Sequence, residues 1–366
     1  MISEQLEKDL RYTFDSLSEV ERKKFFGSTI LITGSAGTMG FFFAHFFHRF
    51  KDELNLKKVI CLDNFIVGQP QWIKNISDGE RVIFKKFDVI HNELAEIEGA
   101  AAADFVLHLA SIASPIFYRK YPLETVDANV AGLRRLLEFY KDKNLKGFLY
   151  FSTSEIYGNP SPENVPTAET YNGDVSCTGP RSCYDESKRF GETLCRYFAQ
   201  EYKMPVSVVR LFNTYGPGMK INDKRVVADF ANDILKGKDI TILSSGEPTR
   251  TFCYIADSVV GCLKTLLHGK YDFFNIGIEK PEISITKLAE IYQAAGREIF
   301  NYGGKINYAV SEDKDYLTDN PQRRCPNIDK AKKILGYKPA ISIEAGVTRF
   351  LTFIKENQNM RENIEW

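Results

Sequence analysis

The sequence predicts an α/β protein: a doubly wound parallel sheet with a smaller C-terminal lobe interleaved with it. Three observations predict this. From Thr29 six short apolar runs alternate with helical stretches, a glycine-rich loop follows the first run directly, and after Asn213 the rhythm breaks into turn-rich text. Continuous apolar runs with helices between them mean strands covered on both faces, and right-handed crossovers then place helices on both sides of the sheet. With 366 residues and 43% of them hydrophobic, the chain can bury a substantial core. Its 48 basic and 48 acidic side chains cancel, which argues against a polybasic nucleic-acid binder. The apolar stretches are far shorter than the roughly 20 residues of a membrane-spanning helix, so no membrane partner is expected.

Taken in order, residues 3–24 place Leu6, Leu10, Phe14, Leu17 and Val20 at spacings of three and four, which reads as one amphipathic helix. Residues 1–26 form an N-terminal extension, read as a surface helix docked on its own domain, with partner binding or oligomer stabilisation as the alternative. The extension lacks an apolar signal core, so secretion is not indicated. The six runs are TILIT, KKVICLD, VIFKKFDV, DFVLHLA, GFLYFSTS and VSVVRLF, and helices are expected at 38–51, 123–142, 184–202 and 225–236. Beyond the turns YGPGMKINDK and LSSGEPTR come a helix at 256–268, a strand at FFNIG, and helices at 284–295 and 328–335. Residues 27–212, rejoined by 251–277, are expected to form one domain, and 213–250 with 278–366 the second lobe.

The seven cysteines (61, 177, 183, 195, 253, 262 and 325) include no CxxC pair and are odd in number, which fits reduced thiols in a cytoplasmic protein. The histidines form no HExxH and sit near no cysteine cluster, so no metal site is expected, and His45 and His48 read as packing residues of a Phe-rich helix.

Directly after the first strand, Gly34-Ser35-Ala36-Gly37-Thr38-Met39-Gly40 opens a helix. One glycine permits the tight turn, another lets backbone approach a pyrophosphate, and the last lets helix and strand pack closely, while the helix N-terminus favours the anion. Asp63 ends the second strand, 23 residues beyond Gly40, where a carboxylate accepts hydrogen bonds from ribose hydroxyls and repels a 2′-phosphate. The pattern therefore predicts a Rossmann-type domain that binds NAD rather than NADP. Asp88, at the end of the third strand, either faces the adenine or is a solvated strand-end acid. Leu109, Ala110 and Ser111 follow the fourth strand and should line the crevice. Asn64, Val89, Asn129 and Ser152 complete the candidate cofactor contacts.

Tyr184 and Lys188, at i and i+4, stand one above the other on a helix face. A nearby ammonium and a bound nicotinamide cation would favour the phenolate, making Tyr184 a base for a substrate hydroxyl. Ser152-Thr153-Ser154-Glu155 at the end of the fifth strand offers hydroxyls to the same oxygen.

On these motifs, together with STSEIYG (152–158), GPRSCYDESKR (179–189), RLFNTYGP (210–217), NDKRVV (222–227) and NPQRRCPNIDKAKKILGY (320–337), the chain resembles the extended short-chain dehydrogenases/reductases of the nucleotide-sugar epimerase/dehydratase group, over residues 29 to about 345. Within that group it is most similar to the UDP-glucuronate decarboxylases. The resemblance implies a Rossmann-type fold with a C-terminal substrate-binding lobe and redox chemistry at sugar C4 by Thr153, Tyr184 and Lys188. It further implies that Glu155 and Arg324 serve at the reacting carboxylate and C5, that Ser154 touches substrate, and that Asn213, Arg225 and Arg250 grip the nucleotide diphosphate. The 4,6-dehydratases of the group carry Asp where Ser154 stands, and the 4-epimerases a small residue in place of Glu155. The implied reaction is decarboxylation of a nucleotide-activated hexuronic acid through a 4-keto intermediate, with NAD regenerated in place. A 4-epimerase or 4,6-dehydratase remains the alternative, and a non-catalytic NAD-binding scaffold a third reading. The resemblance also implies a homodimer, paired through the helices near 123–142 and 184–202. Gly216-Pro217-Gly218-Met219 and Leu243-Ser244 depart from the decarboxylase pattern and are expected in the nucleotide pocket.

Overall fold

The computed structural model describes residues 2–311 and 318–357. The stretches 312–317 and 358–366, which the sequence assigns to the second lobe, lie outside the described residues. Seven strands form the central sheet: β1 Thr29–Thr33, β2 Lys58–Asp63, β3 Val82–Lys86, β4 Phe105–His108, β5 Gly147–Thr153, β6 Val206–Leu211 and β7 Asp272–Ile276. They run in the order β3-β2-β1-β4-β5-β6-β7, and every pairing is parallel. Strand order reverses between β1 and β4, and a crevice for a ligand opens at such a point beyond the carboxyl ends of the strands.

Alternation along the strands feeds two cores, one on each face. Ile30 and Ile32 of β1 pack with Phe42, Phe43 and Phe46, while Leu31 faces the other way onto Leu133, Leu137 and Tyr140. Edge strand β3 departs from the expected two-sided cover, because its last residues Lys85 and Lys86 are exposed.

The N-terminal extension is two helices rather than one, Glu4–Asp15 and Glu19–Lys23. Ser16 closes the first and Ser18 opens the second through a capping box with Glu21, so the chain turns between them. Leu6, Leu10, Phe14 and Leu17 are buried as expected, but past the turn Val20 points outward and is 72% exposed. The first helix docks on Thr38–Arg49, Ile255–Leu266 and Ile343–Glu356. Fully buried Asp9 accepts hydrogen bonds from Tyr254 Oη (2.6 Å), Arg349 Nη1 (3.0 Å) and Gln5 Nε2 (3.1 Å). Tyr12 Oη donates to Asp257 (2.6 Å), whose carboxylate also takes the N–H groups of Ala340 and Ile341.

The helix expected at 123–142 is Pro122–Asp127 and Leu133–Tyr140 joined by a π-helical turn, Ala128–Gly132. Helix Ile285–Phe300 outruns its expected end, and Ile343–Glu356, capped by Ser342, stands outside the sequence expectation. No helix among the described residues is long and apolar enough to cross a membrane.

Candidate active site

A cavity of about 1170 Å³ runs from the glycine loop, across the carboxyl ends of the strands, into the second lobe. Its cofactor end brings together Gly34, Gly37, Thr38, Met39, Gly40, Asp63, Asn64, Asp88, Val89, Leu109, Ala110, Ser111 and Ser152. Its other end holds Thr153, Ser154, Glu155, Tyr184, Lys188, Asn213, Arg225, Arg250 and Arg324. Asn129 is the exception among the expected contacts. It lies on the π-helical turn, buried below the cavity wall, and its Nδ2 donates to Ser187 Oγ (2.9 Å). Ser187 in turn bonds the Tyr184 carbonyl (3.0 Å), so Asn129 braces the helix turn that carries Tyr184 and Lys188.

The glycine loop shows the three roles its spacing implies. Gly34 has φ +71°, and a Cβ there would lie 2.6 Å from the Ala110 backbone N. At Gly40 a Cβ would meet the Gly34 and Ser35 carbonyl oxygens at 2.5 Å, so helix and strand are in backbone contact. Gly37 is the N-cap of Thr38–Arg49, without a side-chain cap, and its nearest neighbour to a Cβ is 3.4 Å away. The orphan N–H groups of this helix thus stand open to the crevice. Asp63 ties the loop down: its carboxylate accepts from the N–H of Ala36 (2.9 Å) and of Phe65 (2.8 Å), and burial pushes it up. Asp88, two residues beyond β3, is knit into the wall by Asn64 Nδ2 (3.0 Å) and the Ile90 N–H (2.8 Å). Burial opposes its charge, yet these hydrogen bonds hold it below the usual carboxylate range. The open amides, the backbone-close glycines and the ribose-side carboxylate fit a dinucleotide.

Gly218 is not in the nucleotide pocket. With φ +93° it packs on the same helix N-terminus, where a Cβ would meet Phe41 and the Thr38 carbonyl at 2.7 Å. That close approach is the reason for glycine in the GPGM turn, whereas Met219, Leu243 and Ser244 do line the cavity.

At the chemistry end Tyr184 is buried and stacks on Tyr118, with centroids 5.2 Å apart and planes at 8°. Lys188 Nζ donates to the Phe151 carbonyl (2.7 Å) and lies 5.8 Å from the Tyr184 ring centroid. Among the chain's own groups the balance favours the neutral phenol. Burial raises Tyr184, with Glu155 and Asp185 adding to the rise and a hydrogen bond with Thr153 and the charge of Arg225 opposing it. Burial also brings Lys188 down to about 7, which weakens the cation meant to oppose it.

Beyond Tyr184 lies a cluster of buried charges. The Glu155 carboxylate is forked between two arginines: Arg324 donates to Oε1 and Arg181 to Oε2. Arg324 also donates to Ser154 Oγ (3.1 Å) and to the Gly158 carbonyl (3.2 Å). Arg181 Nε stands 3.6 Å from Asp185 Oδ2, one helical turn on. Burial works against the Glu155 charge, but the guanidinium groups of Arg181 and Arg324 hold it low. Asp185 is pushed up to about 7 by burial and then by Glu155. Arg250 donates to the carbonyls of Thr249 (2.8 Å), Gln322 (3.1 Å) and Pro321 and to Asn320, and burial followed by the charge of Arg324 lowers it to about 10. Arg225 forks onto Asp223 (2.7 Å for both contacts), and Asn213 Nδ2 bonds the Thr251 carbonyl (2.8 Å). Sequence reasoning missed Arg181, Asp185 and Tyr118. The Arg-x-x-x-Asp spacing of 181 and 185, on the face that carries Tyr184, was the available signal for two of them.

The sequence matches the NAD dependent epimerase/dehydratase family over residues 30–277. The chain belongs to this family. As a member of the epimerase/dehydratase family it is an NAD-dependent enzyme, and NAD is its cofactor. UDP-glucuronic acid decarboxylase 1 of Xenopus tropicalis is 34% identical over 352 residues, which span 96% of this chain and 76% of that protein. UDP-glucuronic acid decarboxylase 3 of Arabidopsis thaliana is 33% identical over 335 residues, 92% of this chain and 90% of its own. Among solved structures, UDP-glucose 4-epimerase of Thermotoga maritima with UDP-glucose superposes with a TM-score of 0.76 at 26% identity, covering 90% of this chain and 99% of that one. UDP-glucuronic acid 4-epimerase of Bacillus cereus, in complex with UDP-glucuronic acid and NAD, gives 0.72 at 25% identity with the same coverage. The family assignment thus agrees with the fold and with the resemblance carried by the motifs.

Proposed function

We propose that this enzyme decarboxylates a nucleotide-activated hexuronic acid of the UDP-glucuronate kind through a 4-keto intermediate. The observation that carries the reading is the charge of the buried cluster. Two guanidinium groups, Arg181 and Arg324, meet the Glu155 carboxylate, while burial and the charge of Glu155 push the neighbouring Asp185 up to about 7, toward its neutral form. The surplus positive charge in a desolvated site suits one further anion, and a planar guanidinium suits a carboxylate.

NAD, held by the glycine loop and Asp63, would supply a reversible acceptor for the C4 hydrogen with its electron pair. Thr153 and Tyr184 orient the C4 hydroxyl, and Tyr184, as the phenolate that the nicotinamide cation would favour, takes its proton, a step worth roughly 10²- to 10⁴-fold. Arg324 holds the carboxylate. With a carbonyl at C4, the C5–C6 bond breaks, its electrons settle on the C4 oxygen as an enolate, and carbon dioxide leaves. A proton drawn from water through the Glu155 carboxylate takes the place of the lost carbon at C5, and Tyr184 returns its proton to the C4 oxygen. Asn213, Arg225 and Arg250 grip the diphosphate, and for Arg225 this means sharing its fork with Asp223. Residues 27–212 with 251–277 act as the NAD-binding domain, and 213–250 with 278–366 as the nucleotide-sugar lobe.

The test is carbon dioxide release from UDP-glucuronate by the purified enzyme with NAD. Formation of a C4-epimeric uronate without gas would instead select 4-epimerisation, the reading favoured by the likeness to the Bacillus cereus enzyme. Release of neither product overturns both.

We further infer a homodimer built on the helices at 122–140 and 182–202, supported by the exposed side chains of Leu123, Phe190 and Tyr197 on them. Light scattering that shows a monomer at micromolar concentration would exclude it. A cytoplasmic setting is supported by seven free cysteines, none of them paired.

A further inference from the structure

The two arginines that share Glu155 are not held alike. Arg324 is anchored on the turn that carries Glu155, through Ser154 Oγ and the Gly158 carbonyl, so it stays in place when its bond to Glu155 is exchanged for another. Arg181 comes from the other wall, at the N-cap of helix Ser182–Tyr202, and reaches Glu155 with one guanidinium nitrogen. Its Nε, buried and without a hydrogen-bond partner, faces Asp185, whose Oδ1 is buried and unpartnered as well. A carboxylate ligand arriving at Arg324 competes with Glu155 Oε1 and leaves Oε2 on Arg181.

We propose that Arg181, braced by Asp185, is the positioning residue that keeps the Glu155 carboxylate at the sugar end of the cavity while Arg324 engages the substrate's own carboxylate. This rests on the decarboxylase reading and assigns the division of labour within it: Arg324 to the ligand, Arg181 to the enzyme's own carboxylate. The same helix turn carries Tyr184, three residues on, so one element sets the place of both the group that works at C4 and the group that works at C5.

The test uses the full-length enzyme with NAD and UDP-glucuronate, comparing wild type with Arg181→Gln, Arg181→Lys and Asp185→Asn. Expected for Arg181→Gln is a kcat lower by roughly tenfold to a hundredfold, with KM within about threefold of wild type and the copurified NAD content retained. Reduced cofactor should accumulate at 340 nm during turnover, because oxidation at C4 continues while the later step falters. The acid limb of the kcat–pH profile should move upward, since Glu155 loses a cation that favours its charged form. Arg181→Lys keeps the charge without the fork and should recover part of kcat and of the pH shift, and Asp185→Asn should reproduce a weaker form of the defect. If Arg181→Gln does not fold, the Lys and Asn variants carry the same comparison. Unchanged kcat and pH profile in the variants overturns the proposal, as does a rise in KM alone, which would make Arg181 a direct substrate contact. Wild-type enzyme that turns over other nucleotide sugars but releases no carbon dioxide from UDP-glucuronate overturns the decarboxylase reading and this proposal with it. Normal wild-type release with indifferent variants overturns this proposal alone.

Discussion

The two ends of the cavity are built on opposite principles. At the cofactor end the groups are glycines, backbone amides and a carboxylate pinned by two N–H donors, so the site is defined by how closely main chain can approach main chain. At the sugar end they are long charged side chains, buried and paired with one another. The first surface is set by the course of the main chain. The second is an electrostatic balance that an incoming anion can tip. A family that keeps one cofactor and varies the reaction can leave the first untouched and rewrite the second.

Changes at the sugar end should therefore act through charge and chemistry, and changes at the cofactor end through shape. The largest effect is expected from Tyr184→Phe, which keeps the stack on Tyr118 but removes the proton acceptor: kcat should fall by roughly 10²- to 10⁴-fold with NAD still copurifying. Loss of NAD from this variant would blur the division. Arg324→Ala leaves Glu155 half-paired in a buried site and should lower unfolding stability by about 3–5 kcal/mol, measurable by denaturant titration, while weakening uronates more than neutral sugars. At the cofactor end, Gly34→Ala forces a side chain into positive φ and against the Ala110 backbone. It should cost about 1–3 kcal/mol and reduce the NAD retained through gel filtration.

A pH series sharpens the contrast. Lys188 is brought by burial from its ordinary 10.5 to about 7, so between these values the unfolded chain holds a proton that the folded protein does not. Its contribution to stability therefore rises with pH across that window and is least favourable below 7. Lys188→Met should stabilise the fold against heat at pH 6, and the gain should fade toward pH 10. The smallest effect belongs to Asn129→Ala, which removes a buried brace but no cavity contact: about 1 kcal/mol of stability, with the NAD Kd unchanged in isothermal titration. A weakened NAD Kd would return Asn129 to the cofactor contacts.

The same division governs what could be read before the structure. The sheet, the glycine loop and Asp63 were legible because local spacing alone determines them: a run, a turn and a helix start lie within one short stretch. Tyr184 and Lys188 were legible for the same reason. That Asn129 bonds Ser187 from a π-helical turn was not legible, because i,i+4 counting does not reveal such a turn. Val20 went astray because the serine caps at 16 and 18 interrupt a pattern that remains periodic on paper. Gly218 was placed in the pocket by its motif, whereas it serves a contact with residues 38 and 41, distant in sequence. Arg181 was overlooked for a physical reason: an arginine is identified by its partner, and Glu155 lies 26 residues upstream on another wall.

The N-terminal helices touch none of this chemistry, yet they bear on how the molecule comes apart. Asp9 is bonded at once to Tyr254 and to Arg349, while Tyr12 reaches Asp257, which also secures the chain at Ala340 and Ile341. Segments that enter and leave the sheet-bearing half are thereby stitched to the C-terminal helix by one short stretch of chain. Such cross-linking makes melting a joint event, so a calorimetric scan should show a single endotherm, and loosening the stitch with Asp9→Ala should split it in two.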